Sequence, residues 1–342
     1  MKNLIRIPVI IVMLFLWSSI VLGQNTLQYA DLGDYPLENG QVIKDCRLAY
    51  RTFGVLNPDK SNVLLFPTWL AGTTQELIDL GLIGPGKMAD SSKYFIVAVD
   101  AFGNGLSSSP SNSKQQPDQT FPRFSMKDMV NAQHLLLTRY LHLSHLHGVI
   151  GVSMGGMMVY QWMVSYPDFL SKAVAVSGSP QLTAYDLLLW QAELGAINAS
   201  GGTPPEKNAA MKKLTAIHLL HQSTPHYITT HVTRETFPQF LADAEKSFMK
   251  YNAFDWAWQL KAIMDHNIYR PFGKETDNAE KTIKAKALII WAQQDLIVNS
   301  EPAQTFARRM HTDTFELTGD CGHLSFLCEG EVLRGVVKRF MD

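Results

Sequence analysis

The stretch Gly151-Val152-Ser153-Met154-Gly155, followed by Gly156, decides how the rest of the sequence is interpreted. The apolar residues 148–152 are typical of a buried strand, and the pattern of residues 154–166 is typical of a helix. A serine at such a sharp turn needs glycine neighbours, because side chains there would clash with the adjoining strand and helix. The turn also directs the positive end of the helix toward the serine hydroxyl. This setting predicts that Ser153 is a nucleophile at the end of a strand.

Strand and helix patterns alternate on both sides of this turn. Runs typical of strands occupy residues 27–32, 42–53, 62–66, 94–99, 173–176, 287–291 and 314–317. Helical patterns separate most of the later runs, as in residues 125–140, which begin at Ser125, a residue type favoured at helix N-termini. We therefore predict an α/β protein with a mostly parallel central sheet and helices on both faces.

A helix-rich insertion interrupts this alternation. From residue 182 to residue 278, amphipathic helical stretches replace the strand-like runs. We interpret this block as a helical cap over the carboxyl edge of the sheet. The predicted organisation is a signal peptide at residues 1–23, the first part of the core at 24–181, the cap at 182–278 and the second part of the core at 279–342.

Residues 1–23 have the layout of a secretory signal. Lys2 and Arg6 give a positive start, an apolar stretch follows, and the small residues Val21 and Gly23 suit cleavage before Gln24. The sequence therefore predicts an exported protein, periplasmic or extracellular, without a stable membrane span after cleavage. The alternative is an uncleaved anchor, although the apolar run is short of the roughly 20 residues that cross a bilayer.

Composition and charge restrict the class of protein. The chain has 342 residues, of which 46% are hydrophobic and 18% charged, as in globular proteins. Its 30 basic and 31 acidic side chains nearly balance, without a long run of either sign, which argues against a nucleic-acid partner. The chain has three cysteines, Cys46, Cys321 and Cys328. We favour three separate, partly buried thiols, because free cysteine is often buried. A bond between Cys321 and Cys328 is the alternative.

A serine hydroxyl becomes an effective nucleophile when a base accepts its proton. The base is usually a histidine that a carboxylate orients, and on this kind of fold the chain order is serine, acid, histidine. Asp295 and His323 each follow one of the last two predicted strands, at the same sheet edge as Ser153. We predict these three as the catalytic residues. Asp320 is a competing acid, less well placed because it lies only three residues from His323.

The same chemistry needs two backbone N–H donors for the oxyanion that forms at the substrate carbonyl. One is expected from Met154, directly after the nucleophile, and the other from the loop after the strand at residues 62–66. That loop is Pro67-Thr68-Trp69-Leu70-Ala71-Gly72. We predict the N–H of Leu70 as the second donor, with that of Trp69 as the alternative.

These motifs resemble the homoserine O-acetyltransferase-like branch of the α/β hydrolases. The run Ser153-Met154-Gly155-Gly156-Met157 has that family's pattern, and Asp128-Met129-Val130, Tyr166-Pro167-Asp168, Gly322-His323 and Phe326-Leu327 also fit. Leu70 and Gly72 stand where the family's oxyanion loop has a leucine and a glycine. The resemblance implies an α/β-hydrolase fold, an acyl-enzyme on Ser153 and a helical cap that forms a tunnel to it.

Three features depart from true homoserine acetyltransferases. The family's Gly/Cys/Thr-Gly-Pro segment after the fourth strand is replaced here by residues 102–110, Phe-Gly-Asn-Gly-Leu-Ser-Ser-Ser-Pro. The cap has no match to the family's arginine- and tyrosine-bearing run for homoserine, and export would separate the enzyme from cytosolic acetyl-CoA. These departures favour hydrolysis of an ester, or transfer from an unknown donor, over homoserine acetylation.

The main hypothesis is an exported serine hydrolase or acyltransferase that acts on a small-molecule acyl ester or acyl donor without a cofactor. The alternatives are homoserine O-acetyltransferase itself and a non-catalytic binding protein with this fold. Metal binding is not predicted, because two histidine clusters lack the spacing of zinc motifs. The clusters are His142, His145 and His147 before the elbow, and His218, His221 and His226 in the cap. Apolar residues 187–190 and Leu194 in the cap indicate packing, with an acyl-tunnel lining as the alternative. The oligomeric state stays open.

Overall fold

The computed structural model describes residues 21–201, 203–273 and 276–342. Most of the predicted signal peptide, residues 1–20, therefore lies outside the described residues. Val21 and Leu22 pair antiparallel with Val55–Leu56 beside the main sheet. Of the helices in the described ranges, none has the length and apolar composition that crossing a lipid bilayer requires.

One central sheet contains the main strands of the chain. They are β1 (Gln28–Pro36), β2 (Val42–Phe53), β3 (Val63–Pro67), β4 (Phe95–Val99), β5 (Leu146–Val152), β6 (Leu170–Val176), β7 (Lys286–Ala292) and β8 (Asp313–Leu317). They are ordered β1-β2-β4-β3-β5-β6-β7-β8 across the sheet. Strand β2 runs antiparallel to both neighbours, and the other neighbouring pairs are parallel. The predicted mostly parallel sheet is confirmed.

The helices fill the connections between these strands. They are α1 (Thr74–Asp79), α2 (Met126–Leu135), α3 (Met154–Ser165), α4 (Ala184–Asn198), α5 (Pro204–Gln222), α6 (Pro225–His231), α7 (Phe237–Phe248), α8 (Ala253–Met264), α9 (Thr276–Thr282), α10 (Glu301–Met310), α11 (Ser325–Cys328) and α12 (Gly330–Met341). Helix α2 begins where the sequence predicts, because the Ser125 hydroxyl accepts the N–H of Asp128 while the Asp128 carboxylate accepts the N–H of Ser125.

Both faces of the sheet are covered by apolar side chains. In β3, Val63 and Leu65 belong to one buried cluster, and Leu64 and Phe66 belong to the other. This alternation is the period of a strand whose two faces are both packed. Side chains of α2, α3 and α10 complete the first cluster, and side chains of α1 and α12 complete the second. The helices therefore lie on both faces, as predicted for an α/β-hydrolase fold.

Helices α4 to α9 lie between β6 and β7; α4 to α8 fall within residues 182–278, the predicted cap, and α9 extends past that boundary to Thr282. Helix α5 packs against α4, α7 and α8. Of the apolar residues singled out in α4, Leu189, Trp190 and Leu194 are buried, whereas Leu188 is 72% exposed. One face of α4 therefore packs inside the cap, and the other faces solvent.

Candidate active site

Ser153 occupies the turn between β5 and α3. Its backbone has a φ of 56° and a ψ of −123°, a conformation that residues with a side chain rarely adopt. Its N–H donates to the carbonyl of Val176 at 2.9 Å, and its carbonyl accepts the N–H of Met157 at 2.9 Å. Bonds to a neighbouring strand and to the following helix thus hold the unusual conformation.

Glycines let the helix begin this close to the sheet. A Cβ atom on Gly151 would lie 2.2 Å from the carbonyl oxygen of Gly155, and one on Gly155 would lie 2.6 Å from that of Pro67. Both obstacles are backbone atoms, so a larger residue would force the helix away from the strands. The steric reason given for the glycines of the turn therefore holds in the structure.

The three side chains predicted to act together meet at the carboxyl edge of the sheet. His323 Nε2 lies 2.9 Å from Ser153 Oγ, and His323 Nδ1 lies 2.7 Å from Asp295 Oδ2. The side chains of His323 and Asp295 are 9% and 1% exposed. His323 belongs to a short 3-10 turn at Gly322–Leu324, and Asp295 lies in the loop after β7.

The surroundings of Asp295 fix the roles of the imidazole nitrogens. Its Oδ1 accepts the N–H groups of Ile297 and Val298 at 2.9 and 3.0 Å. A carboxylate can only accept, so Oδ2 accepts a hydrogen bond from the N–H at Nδ1 of His323, which leaves Nε2 as the acceptor for a serine hydroxyl. The competing acid, Asp320, is 42% exposed and lies 3.6 Å from Nε2 of His226 instead.

The predicted oxyanion loop after β3 is held from the cap. Gln259 of α8 is fully buried, and its side chain accepts the N–H of Ala71 at 2.6 Å and donates to the carbonyl of Phe102 at 2.7 Å. No motif in the sequence indicates this glutamine. In the described part of the chain, the N–H groups of Leu70 and Met154 donate to no protein acceptor. Both predicted donors are therefore available to a ligand.

Leu70, Ser153 and His323 line one cavity of about 340 Å³ between the sheet edge and the cap. Its walls include six aromatic side chains, namely Trp69, Trp190, Phe248, Tyr251, Trp256 and Phe326. The volume is at the small end of the range for small-molecule sites. A cavity of about 350 Å³ elsewhere is lined by charged residues such as Arg123 and Lys261, and Ser153 and His323 are not part of its lining. We therefore assign the chemistry to the cavity at the sheet edge.

The cysteines differ from the favoured prediction. Cys321 and Cys328 form a disulfide, whereas Cys46 is a buried free thiol. The 3-10 turn and α11 fold the intervening residues back, which brings the two Cα atoms to 6.5 Å, a separation that a disulfide can bridge. The bond encloses His323. In the described ranges, no three His, Cys, Asp or Glu side chains are grouped as metal ligands.

The sequence matches a family model described as alpha/beta hydrolase fold over residues 83–329. A homoserine O-acetyltransferase of Methanosalsum zhilinae is 30% identical over 90% of this chain and 70% of that relative. An ethyl acetate hydrolase of Pseudomonas veronii is 41% identical over 168 residues, which are 49% of this chain and 48% of that relative. The match thus spans about half the length of the second relative.

The fold is also similar to that of a solved ester hydrolase. An acetylester hydrolase from Corynebacterium glutamicum superposes with a TM-score of 0.85 at 26% identity, over 92% of this chain and 95% of that chain. The likeness extends through the core and the helices between β6 and β7, since it covers nearly the whole of both chains.

Proposed function

This chain belongs to the homoserine O-acetyltransferase-like branch of the alpha/beta hydrolase fold family, and on that premise we propose that it cleaves or transfers acyl groups through a covalent intermediate on Ser153. The observation that carries the proposal is the hydrogen-bonded series from Asp295 through His323 to the serine hydroxyl, with distances of 2.7 and 2.9 Å. Serine-dependent acyl transfer uses this arrangement, in which a histidine accepts the proton of the serine and a carboxylate orients the histidine.

In the proposed reaction, His323 Nε2 takes the proton of Ser153 as its Oγ bonds to the acyl carbon. The carbonyl oxygen becomes an oxyanion, which the N–H groups of Leu70 and Met154 stabilise. When the carbon–oxygen bond to the alcohol breaks, His323 returns the proton to the leaving alcohol, and the acyl group stays on Ser153. Water or an acceptor alcohol then gives a proton to His323 as its oxygen bonds to the acyl carbon. When the bond between that carbon and Ser153 Oγ breaks, His323 returns the proton to Oγ, and the acid or the new ester leaves.

We propose hydrolysis of short-chain acyl esters as the first candidate activity. The 41% identity to an ethyl acetate hydrolase and the small cavity support it. Acyl transfer to an alcohol is the second candidate, supported by the 30% identity to a homoserine O-acetyltransferase over 90% of this chain. The triad serves both reactions, so access of water or acceptor to the acyl-enzyme decides between them.

A fluorophosphonate probe tests the nucleophile directly. We expect one adduct per chain, located on Ser153 by peptide mass spectrometry, and none in the Ser153→Ala variant. The control is circular dichroism, which should be the same for both proteins. A folded wild-type protein that takes up no probe on Ser153 would end the proposal.

Product analysis separates the two candidates. Ethyl acetate is turned over with and without a second alcohol, and free acetate and the new ester are both measured. We expect acetate to dominate at every alcohol concentration. New ester that forms faster than acetate at millimolar alcohol would make the protein a transferase.

We further propose that the protein is exported and cleaved before Gln24. The eight-stranded sheet begins at Gln28, so cleavage there removes none of its strands. N-terminal sequencing of protein from the periplasm or medium should begin at Gln24. Protein that keeps residues 1–23 in the membrane fraction would support the anchor instead.

A further inference from the structure

The cap holds a buried acid–imidazole pair beside the candidate active site. Glu193 of α4 is fully buried, and its Oε1 lies 2.8 Å from Nδ1 of His218 on α5. The indole N–H of Trp256 on α8 donates to Oε2 of the same carboxylate at 3.0 Å. One carboxylate thus joins three cap helices and has a donor on each of its oxygens.

His218 also faces the cavity that contains Ser153 and His323. Its ring lies 5.2 Å from Phe248 and 5.5 Å from Trp256 between centroids, so it is a polar group in an aromatic wall. Glu193 uses Nδ1, and Nε2 has no hydrogen-bond partner among the described residues. A bound ligand is therefore the natural partner for Nε2.

The bond to Glu193 restricts the chemistry of that partner. A carboxylate only accepts, so Nδ1 of His218 carries a proton. Nε2 then accepts a hydrogen bond when the ring is neutral and donates one when the ring is charged. A hydroxyl group satisfies Nε2 in both states. A carboxylate would add a second negative charge beside the buried Glu193, which is costly in a site of low polarity.

We propose that His218 is a specificity-determining residue whose Nε2 binds a hydroxyl group of the substrate, so that the enzyme prefers hydroxyl-bearing esters to alkyl esters of the same size. This inference rests on the proposed function. The hydroxyl can belong to the alcohol part or to the acyl part of the ester, and two pairs of equal-sized substrates separate these sources.

The alcohol part is tested with 2-hydroxyethyl acetate against propyl acetate, and the acyl part with ethyl glycolate against ethyl propionate. We expect the wild-type protein to favour the hydroxyl member of one pair by about tenfold or more in kcat/KM, which is about the net contribution of one hydrogen bond. The pair that shows the preference identifies the source.

His218→Asn is the critical variant, because its amide can still donate to Glu193 but it has no atom at the position of Nε2. We expect it to lose the preference, with kcat/KM falling more for the hydroxyl ester than for the alkyl ester of that pair, since only the hydroxyl ester loses a hydrogen bond. His221→Asn is the matched control, because its Nδ1 bonds to the carbonyl of Ile217 in its own helix. It should keep the preference.

Four outcomes decide between the possibilities. Hydrolysis of all four esters by the wild type without a hydroxyl preference would overturn this inference and leave the proposed function standing. An equal loss for both members of a pair in His218→Asn would also overturn it, since a purely structural role predicts that result. Failure of every ester would overturn this inference alone if Ser153 still takes up the fluorophosphonate probe, and would overturn the proposed function as well if it does not. If His218→Asn does not fold, Glu193→Gln, which loses the negative charge beside His218, should reduce the preference, and an unchanged preference would contradict the inference.

Discussion

The sheet edge and the cap form opposite walls of one cavity, and different kinds of bonds hold their polar groups. At the sheet edge, backbone N–H groups orient Asp295, and the Ser153 backbone bonds to a strand and a helix. In the cap, side chains hold one another, as Glu193 holds His218 and Trp256. The backbone therefore fixes Ser153 and Asp295, and side chains hold only the imidazole between them, whereas the network in the cap consists of side chains alone. In our proposals, the chemistry belongs to the edge and the choice of substrate to the cap.

The largest expected effect tests the sheet edge. In Asp295→Asn, one oxygen of the carboxylate becomes an NH2 donor. Because the N–H groups of Ile297 and Val298 need the remaining oxygen, the amide nitrogen would face His323 and reverse its tautomer. Nε2 would then carry the proton and could not accept one from Ser153. We expect kcat for ester hydrolysis to fall about 10⁴-fold.

Asp320→Asn is the matched control for this variant. Its carboxylate lies near the exposed His226, so kcat should stay within about twofold of wild type, as for a surface substitution. A large loss of activity in Asp320→Asn, with little loss in Asp295→Asn, would reverse the assignment of the acid.

A smaller effect is expected where the two regions meet. Gln259 belongs to the cap but binds the N–H of Ala71, directly after the predicted donor Leu70. Gln259→Leu would leave that N–H and the carbonyl of Phe102 without partners. We expect the loop to shift and kcat to fall about 10- to 100-fold with KM little changed, less than the loss of a whole oxyanion donor.

Gln259→Glu is the control for the loop, because its carboxylate can still accept the N–H of Ala71. Its kcat should exceed that of Gln259→Leu. If both variants keep wild-type kcat and raise only KM, the cap acts on substrate binding alone. The chemical step would then depend only on the sheet edge.

The sequence predicts the sheet edge better than it predicts the cap. The elbow around Ser153 and the later positions of Asp295 and His323 were predictable, because short-range sterics and strand order determine them. The roles of Gln259 and Glu193 were not predictable. Each is a polar residue within an apolar helical pattern, and its partners lie on other elements that only tertiary packing brings near.

The junction of cap and core gives a pH-dependent prediction. His266 follows α8, is 4% exposed, and donates from Nε2 to the carbonyl of Ser179 in the core. Burial lowers its pKa to about 4. The unfolded chain therefore binds a proton near pH 6.5 that the folded chain does not bind until about pH 4. The contribution of the neutral imidazole to the free energy of unfolding is fully present above about pH 6.5 and is lost as the pH falls from there to about 4.

Urea unfolding of the wild type and His266→Gln, from pH 8 to pH 4, measures this contribution. We expect the wild type to lose about 3 kcal/mol more than the variant by pH 4, from 1.36 kcal/mol per pKa unit. Asp255 acts in the opposite direction, since burial raises its pKa to about 6, but it is present in both proteins and cancels in the difference. At pH 8 the difference between the two proteins reports packing and the hydrogen bond to Ser179, without the effect of titration. Parallel curves at every pH would contradict the buried neutral imidazole.

The smallest expected effect concerns the covalent bond at the sheet edge. The Cys321–Cys328 disulfide encloses the turn that carries His323. By reducing the conformational entropy of the unfolded chain, a bond that closes so short a loop raises the free energy of unfolding by about 2 kcal/mol. Cys321→Ala with Cys328→Ala should lower the unfolding free energy by that amount. Because Asp295 still holds the imidazole at 2.7 Å, kcat should fall less than about threefold. Dithiothreitol should destabilise the wild type to the level of the double variant and leave the variant unchanged. Equal stability of the oxidised wild type and the variant would show that the disulfide adds no stability to the turn.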